Sequence, residues 1–390
     1  MMLSLTLAFA AFAAPPAAPE KAGMAPEVLA RIPVRMKAFV DRGNISGAVT
    51  LVQRHGAVAS LEAVGYQDIE AKKPMRPDTI FQIASMTKPV TGVAIMMLME
   101  EGKLALTDPV EKHLPEFRGL WVVEKKDDKT RVLRRPARPI TVRDLMTHTS
   151  GMSGEYPEGL SDLMVKGNRT LAEAVSIFSQ QPLEFEPGSK WLYSNTGLNT
   201  LGRIVEVVAD MPFEKFLEAR IFKPLGMKDT FFFPTPDKYD RIAVIYERKD
   251  GGLKRADIDL YRKGYKFVRA SGGLYSTAQD MAAFYQAMLN GGKPLLSRAS
   301  VEVMTALHTG DLPLGTSTGD GYGLTWRVTR GNGGTLAGKS IGSYGHGGAY
   351  GTQGWIDPKK DLVGVFMIQR ADGGAEESTV FQELVAAAVQ

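Results

Sequence analysis

The stretch Phe81–Gly102, FQIASMTKPVTGVAIMMLMEEG, constrains the fold more than any other part of the chain. Beyond Lys88 it runs almost wholly apolar to a glycine stop, and a helix without a polar face is one that is covered on every side. Pro89 is compatible with a helix only near its start, so the helix begins close to Ser85. The chain must therefore wrap a central helix whose first turn carries a serine and a lysine. With 390 residues, 44% of them hydrophobic, it is long enough for two or three domains and a sizeable core.

The ends of the chain predict the layer that covers this helix. An amphipathic helix is expected over Ala25–Asp41, with Val28, Leu29, Ile32 and Met36 on one side. Gly47–Val64, rich in Val, Ala and Leu and broken by His55-Gly56, reads as a β-hairpin. Gly354–Gln369 reads as a second hairpin around Pro358–Asp361, followed by a helix from about Glu376. Strands and helices at both ends point to one sheet built from both termini, an α/β domain of residues 25–103 and 275–390. Between them, residues 104–274 read as a mostly helical domain, with Leu198, Leu201, Val205 and Val208 at spacings of three and four. Thr277–Asp280 has the form of a capping box opening a helix that stops at Gly291.

Several function classes drop out early. A net charge of +4 and the lack of a basic stripe argue against a nucleic-acid partner. The basic cluster Lys125–Arg138 contains Asp127-Asp128 and reads as a solvated hairpin. There is no cysteine, which excludes disulfides, thiolate nucleophiles and Cys-ligated zinc. His55, His113, His148 and His308 show no metal-ligand spacing, so no cofactor is expected. Residues 1–24 form a possible leader: an apolar stretch, then Ala11-Phe12-Ala13, resembles a secretory signal without its basic start, which would make the protein periplasmic or secreted; the alternative is a disordered Ala-rich N-terminus on a cytoplasmic protein. No later run reaches the ~18 apolar residues of a membrane span.

Three segments carry chemistry. Ser85 stands where free N–H groups and the positive helix end stabilise developing negative charge. Lys88 is one turn on, within reach of the Ser85 hydroxyl. Serine attacks only with a neighbouring base, and a lysine serves if burial lowers its pKa. The alternative is Ser85 as a helix cap with Lys88 in solvent. Tyr193 and Asn195, two residues apart in an extended stretch, share a face, so a phenol and an amide enter one space; a loop Tyr and a turn-forming Asn is the other reading. Tyr344–Gly351 is dense in glycine, which lets backbone approach a ligand at a strand edge. There Ala349 N–H could pair with Ser85 N–H as two donors to an oxyanion; a Gly-rich loop without function is the competing account.

SMTK at Ser85–Lys88, YSN at Tyr193–Asn195 and HGG at His346–Gly348 resemble, in order and rough spacing, the motifs of the serine β-lactamase-like superfamily. The chain looks most like family VIII carboxylesterases and class C β-lactamases. Glu101–Val110, His148–Gly151 and Pro224–Thr230 also look familial, and the likeness runs from about residue 25 to the C-terminus. It implies a β-lactamase/transpeptidase-like α/β fold, an antiparallel sheet flanked by helices plus an all-helical domain, with the active site between. It also implies roles: Ser85 as acylated nucleophile, Lys88 and Tyr193 sharing base and acid work, the Ser85 and Ala349 amides as oxyanion hole. Asn195, His346, Gly347 and Gly348 would bind substrate. Class C enzymes have Lys-Thr-Gly where this chain has His346-Gly347-Gly348, so a fixed cation for a β-lactam carboxylate is missing and neutral esters are favoured.

Gly315-Thr-Ser317-Thr-Gly319 fits the nucleophile elbow G-x-S-x-G, but that elbow lies between a strand and a helix. Here Asp311-Leu-Pro313 precedes it and Asp320-Gly-Tyr-Gly follows. The resulting expectation is a serine hydrolase cleaving short-chain esters through an acyl-enzyme, with weak β-lactam hydrolysis and no cofactor. Its rivals are a β-lactamase, a D-Ala-D-Ala carboxypeptidase, an acyl transferase, and a penicillin-recognising sensor that acylates without turnover.

Overall fold

A computed structural model describes residues 19–157, 167–258, 265–315, 319–331 and 337–390. Ser317 and residues 1–18 of the leader lie outside the described residues.

Strands apolar on both faces build the centre of the fold. Strands β1 (Gly47–Arg54) and β2 (Ala57–Asp68) form the first hairpin. His55 and Gly56 both have positive φ, 53° and 74°, the turn whose twist matches that of paired strands. β3 is the short Lys73–Pro74. From the other end come β4 (Asp320–Tyr322), β5 (Arg327–Thr329), β6 (Tyr344–Gly347), β7 (Gln353–Asp357) and β8 (Leu362–Met367). All eight pair antiparallel in the order β4-β5-β6-β7-β8-β1-β2-β3. The two termini meet mid-sheet, with Val49 opposite Met367 and Arg54 opposite Leu362.

The alternation of side chains separates two cores. Ala48, Val52, Leu362 and Phe366 face α1 (Arg31–Asp41) and α5 (Ala375–Ala387), which contribute Ile32, Phe39 and Phe381. Val49, Leu51, Val363 and Val365 face the opposite way, onto α2 (Thr87–Glu100) and α4 (Ala278–Leu289). Residues Thr87 to Leu98 of α2 are all buried, as its composition demands. On its far side packs α3 (Asn195–Ala209), through Leu198, Leu201 and Val205. The region 104–274 also holds two hairpins, Val122–Lys126 with Arg131–Arg134 and Tyr246–Lys249 with Gly252–Arg255. The first of these carries the basic cluster into solvent.

Two local details depart from the sequence reading. Pro19–Met24, counted with the leader, is packed: Ala22 and Met24 are fully buried and Met24 bridges to Val389. Only half of the Thr277 box forms, because Thr277 accepts from Asp280 N–H while the Asp280 carboxylate accepts from Asp229 N–H and Thr230 Oγ1. Among the described residues, no helix is long and apolar enough to cross a membrane.

Candidate active site

The site is organised by the turn into α2. Phe81-Gln82 pairs with Tyr275-Ser276, and Ile83 N–H donates to Leu274 O at 3.0 Å. Ala84 then takes φ +45°, a left-handed conformation that costs a residue with a Cβ about 1 kcal/mol. This reverses the chain into a 3₁₀ turn, Ala84–Met86, and α2 follows. The N-cap of α2 is Met86, with no capping side chain, so Ser85 does not serve as the cap.

Lys88 is fully buried rather than in solvent. Its Nζ makes three contacts: Ser271 O at 2.6 Å, Asn195 Oδ1 at 2.9 Å and Ser85 Oγ at 2.9 Å. The first two are carbonyl oxygens, which only accept, so they fix two N–H groups of the amine. The third tetrahedral position points at the serine hydroxyl. Burial pushes the Lys88 ammonium well below its usual range, and the Arg269 guanidinium pushes it further. The segment carrying the Ser271 carbonyl is pinned in turn: Ser271 N–H donates to Asn199 Oδ1 at 3.0 Å and Thr91 Oγ1 to Ala270 O at 2.7 Å.

Tyr193 and Asn195 flank the start of α3, where Ser194 is the cap and accepts from Gly197 N–H. Both reach the amine. Asn195 does so through its oxygen, and the Tyr193 ring lies 4.6 Å from Lys88 Nζ. Burial raises the Tyr193 phenol to about 12, although a hydrogen bond with Ser85 and the charge of Arg327 pull it down.

The third segment arrives on β6. Gly348 lies so close to the turn that carries Ser85 that a Cβ there would sit 2.4 Å from Ile83 O and 2.1 Å from Thr352 Oγ1. Thr352 Oγ1 also donates to Ile83 O at 3.1 Å. Ala349 follows, and its N–H has no hydrogen-bond partner among the described residues. Ser85, Tyr193 and Ala349 line one cleft of about 680 Å³, together with Trp191, Arg327 and Lys339.

His346 borders this cleft, but both its ring nitrogens are engaged by protein, Nε2 by Tyr322 Oη at 3.1 Å and Nδ1 by Gly347 O at 2.7 Å. Burial holds the imidazole well below its usual pKa, with Lys88 and Arg327 adding to the effect. It is therefore neutral and offers no charge to a substrate. The cations of the cleft are instead Arg327 and Lys339, with Asp320 3.7 Å from Arg327. Sequence reasoning missed both, since neither belongs to a motif; their signal was only proximity in sequence to the Gly-rich strand. It also missed Tyr322, and His148, set aside for want of a metal-ligand spacing, lies against Tyr193 with ring centroids 4.6 Å apart.

The family model described as Beta-lactamase matches residues 35–388. Esterase EstB of Burkholderia gladioli is 35% identical over 230 residues, which span 56% of this chain and 55% of its own. The lovastatin esterase of Penicillium rubens is 30% identical over 368 residues, 85% of this chain and 91% of its own. Among solved structures, EstCE1, described as a hydrolase with promiscuous acyltransferase activity, superimposes with a TM-score of 0.80. It is 25% identical, and the match covers 92% of this chain and 99% of that one.

Proposed function

The chain belongs to the Beta-lactamase family, and on that premise we propose that it is a serine hydrolase cleaving short-chain carboxylic esters through an acyl-enzyme. One observation carries the reading: a buried amine, held by two carbonyls, directs its remaining position at Ser85 Oγ 2.9 Å away. Neutral Lys88 takes the Ser85 proton as Oγ attacks the ester carbonyl. The Ser85 and Ala349 N–H groups receive the oxyanion. Tyr193, protonated at neutral pH, gives its proton to the departing alkoxide and recovers it from the Lys88 ammonium. In the second half, Lys88 deprotonates a water that attacks the acyl carbon, and Ser85 leaves with its proton restored.

Arg327 and Lys339 favour a second reading, slow β-lactam hydrolysis, because a substrate carboxylate entering the cleft meets cations despite the absent lysine of the third motif. The test is turnover of p-nitrophenyl acetate, butyrate and longer esters beside nitrocefin. Rapid ester turnover with slow nitrocefin turnover is expected, and the reverse order makes the protein a β-lactamase. A stoichiometric burst without turnover identifies a sensor, and transfer to added alcohol in preference to water an acyl transferase. Release of D-alanine from a D-Ala-D-Ala peptide faster than ester cleavage identifies a carboxypeptidase. Ser85→Ala abolishes the turnover, or in a sensor the burst, in every case.

A further inference from the structure

Behind Tyr193 runs a chain of buried hydrogen bonds whose direction is fixed at both ends. Ser194 N–H donates to His148 Nδ1 at 3.0 Å, so that nitrogen is an acceptor and Nε2 carries the ring proton. His148 Nε2–H then donates to Tyr322 Oη at 3.1 Å. At the far end Gly347 O can only accept, so His346 Nδ1 carries its ring proton, leaving Nε2 to accept from Tyr322 Oη–H at 3.1 Å. The single phenolic proton is thus assigned, and every donor meets an acceptor. Tyr322, His148 and His346 are 0%, 1% and 3% exposed.

The ends of this chain are the two halves of the site. Ser194 lies between Tyr193 and Asn195, and Gly347 lies two residues before Ala349. The groups facing the chain are Lys88 from α2, Arg327 from β5, and Tyr193 with Trp191 from the segment before α3. A proton added at His148 Nδ1 would confront the Ser194 N–H. One added at His346 Nε2 would confront the Tyr322 hydroxyl, whose own proton would then have no acceptor.

We propose that Tyr322 is a positioning residue: by joining His148 and His346 in opposite tautomers, it sets the Tyr193 segment against the Gly347–Ala349 edge and keeps both imidazoles uncharged. The proposal rests on the serine-hydrolase reading of Ser85, but part of it is tested without catalysis. In ¹⁵N-histidine NMR of the whole protein, His148 shows the Nε2–H tautomer and His346 the Nδ1–H tautomer, with no titration between about pH 5 and 8. The same tautomer in both rings, or a midpoint near 6.5 in either, overturns the proposal.

The kinetic arm is Tyr322→Phe, which keeps the ring and removes the oxygen. For p-nitrophenyl butyrate kcat falls about 10- to 100-fold, the size of effect that small misplacement of reacting groups produces, while KM stays within about twofold. A lower melting temperature with unchanged kcat would make the chain merely structural and sink the proposal. Should this variant not fold, His346→Gln and His346→Leu replace it. Gln, whose carbonyl can accept from Tyr322, retains a kcat at least about tenfold above Leu, and equal values overturn the idea. If the wild-type protein cleaves no ester, the hydrolase reading fails, and the NMR arm still decides whether the chain exists.

Discussion

Asn195→Asp tests the assignment of Lys88 as the base. It places a carboxylate where an amide oxygen now lies 2.9 Å from Nζ. At an effective dielectric constant of about 20, unit charges at that distance attract by roughly 6 kcal/mol, equivalent to about four pKa units. Burying the new carboxylate takes back part of this, so the working expectation is a rise of about two units in the Lys88 pKa. A base acts in its neutral form, and below its pKa that fraction drops tenfold per pH unit. The acid limb of kcat/KM therefore moves up by about two pH units, and at fixed pH on that limb the rate falls about 100-fold. Activity returns as the pH is raised. The assay is p-nitrophenyl butyrate turnover from about pH 5 to 10, corrected for spontaneous hydrolysis. Asn195→Ala is the control: it removes the acceptor without adding charge, so its acid limb does not move upward. An Asn195→Asp enzyme with the wild-type limb, or with a uniform loss and no recovery in alkali, would show that Lys88 does not take the serine proton.

Other outcomes follow from the same geometry. Gly348→Ala forces the strand edge away from Ile83 O, and ester kcat falls about 100-fold with a lower melting temperature; unchanged turnover would show that the contact is slack. His346→Gln alters acid stability. Burial keeps the His148 and His346 imidazoles from taking protons that the unfolded chain takes up near pH 6.5, so stability falls as pH drops below that value. Asp280, raised to about 6, titrates in the opposite sense and offsets part of the slope. Removing one imidazole makes the urea-unfolding free energy shallower by about 1 kcal/mol per pH unit between pH 5 and 6. Arg327→Gln raises KM for nitrocefin, which carries a carboxylate, about tenfold more than KM for the butyrate ester. Ser317→Ala leaves ester turnover within about twofold, since the flanks of its motif are not those of a nucleophile elbow.

What was legible in the sequence was local or periodic. Ser85 and Lys88 declare themselves because one helical turn separates them, and Tyr193 and Asn195 because they bracket one cap. The hairpin at His55-Gly56 is written in its turn residues, and the cover on α2 in its want of a polar face. The rest depends on contacts without a period. The Ser271 carbonyl that holds Lys88 has no side-chain signature at all. His148 meets Tyr322 across 174 residues, and Tyr322 meets His346 across 24 through a strand that in sequence reads as a turn-rich stretch. The third motif lacks in sequence the lysine of class C enzymes, and His346 does not replace it, since both its ring nitrogens are occupied within the protein. The useful cations stand on neighbouring segments, where only the folded sheet reveals them.

These hidden contacts bear on the chemistry through charge. An amine and a phenol divide base and acid work when their surroundings push their pKa values apart. Burial does this in opposite senses, lowering the ammonium of Lys88 and raising the phenol of Tyr193, because each loses water around its charged form. A second charge close by would disturb that division. In the proposed mechanism, a protonated His148, its ring tilted against that of Tyr193 with centroids 4.6 Å apart, would stabilise a phenolate and turn the proton donor toward a base. The hydrogen-bond order from Ser194 to Gly347 opposes that proton at each imidazole, so the positive charge that comes and goes beside Ser85 is confined to Lys88. Three segments far apart in sequence are thus held to one electrostatic condition as well as to one geometry, and a variant that satisfies the distances but admits a proton to either ring loses the division of labour.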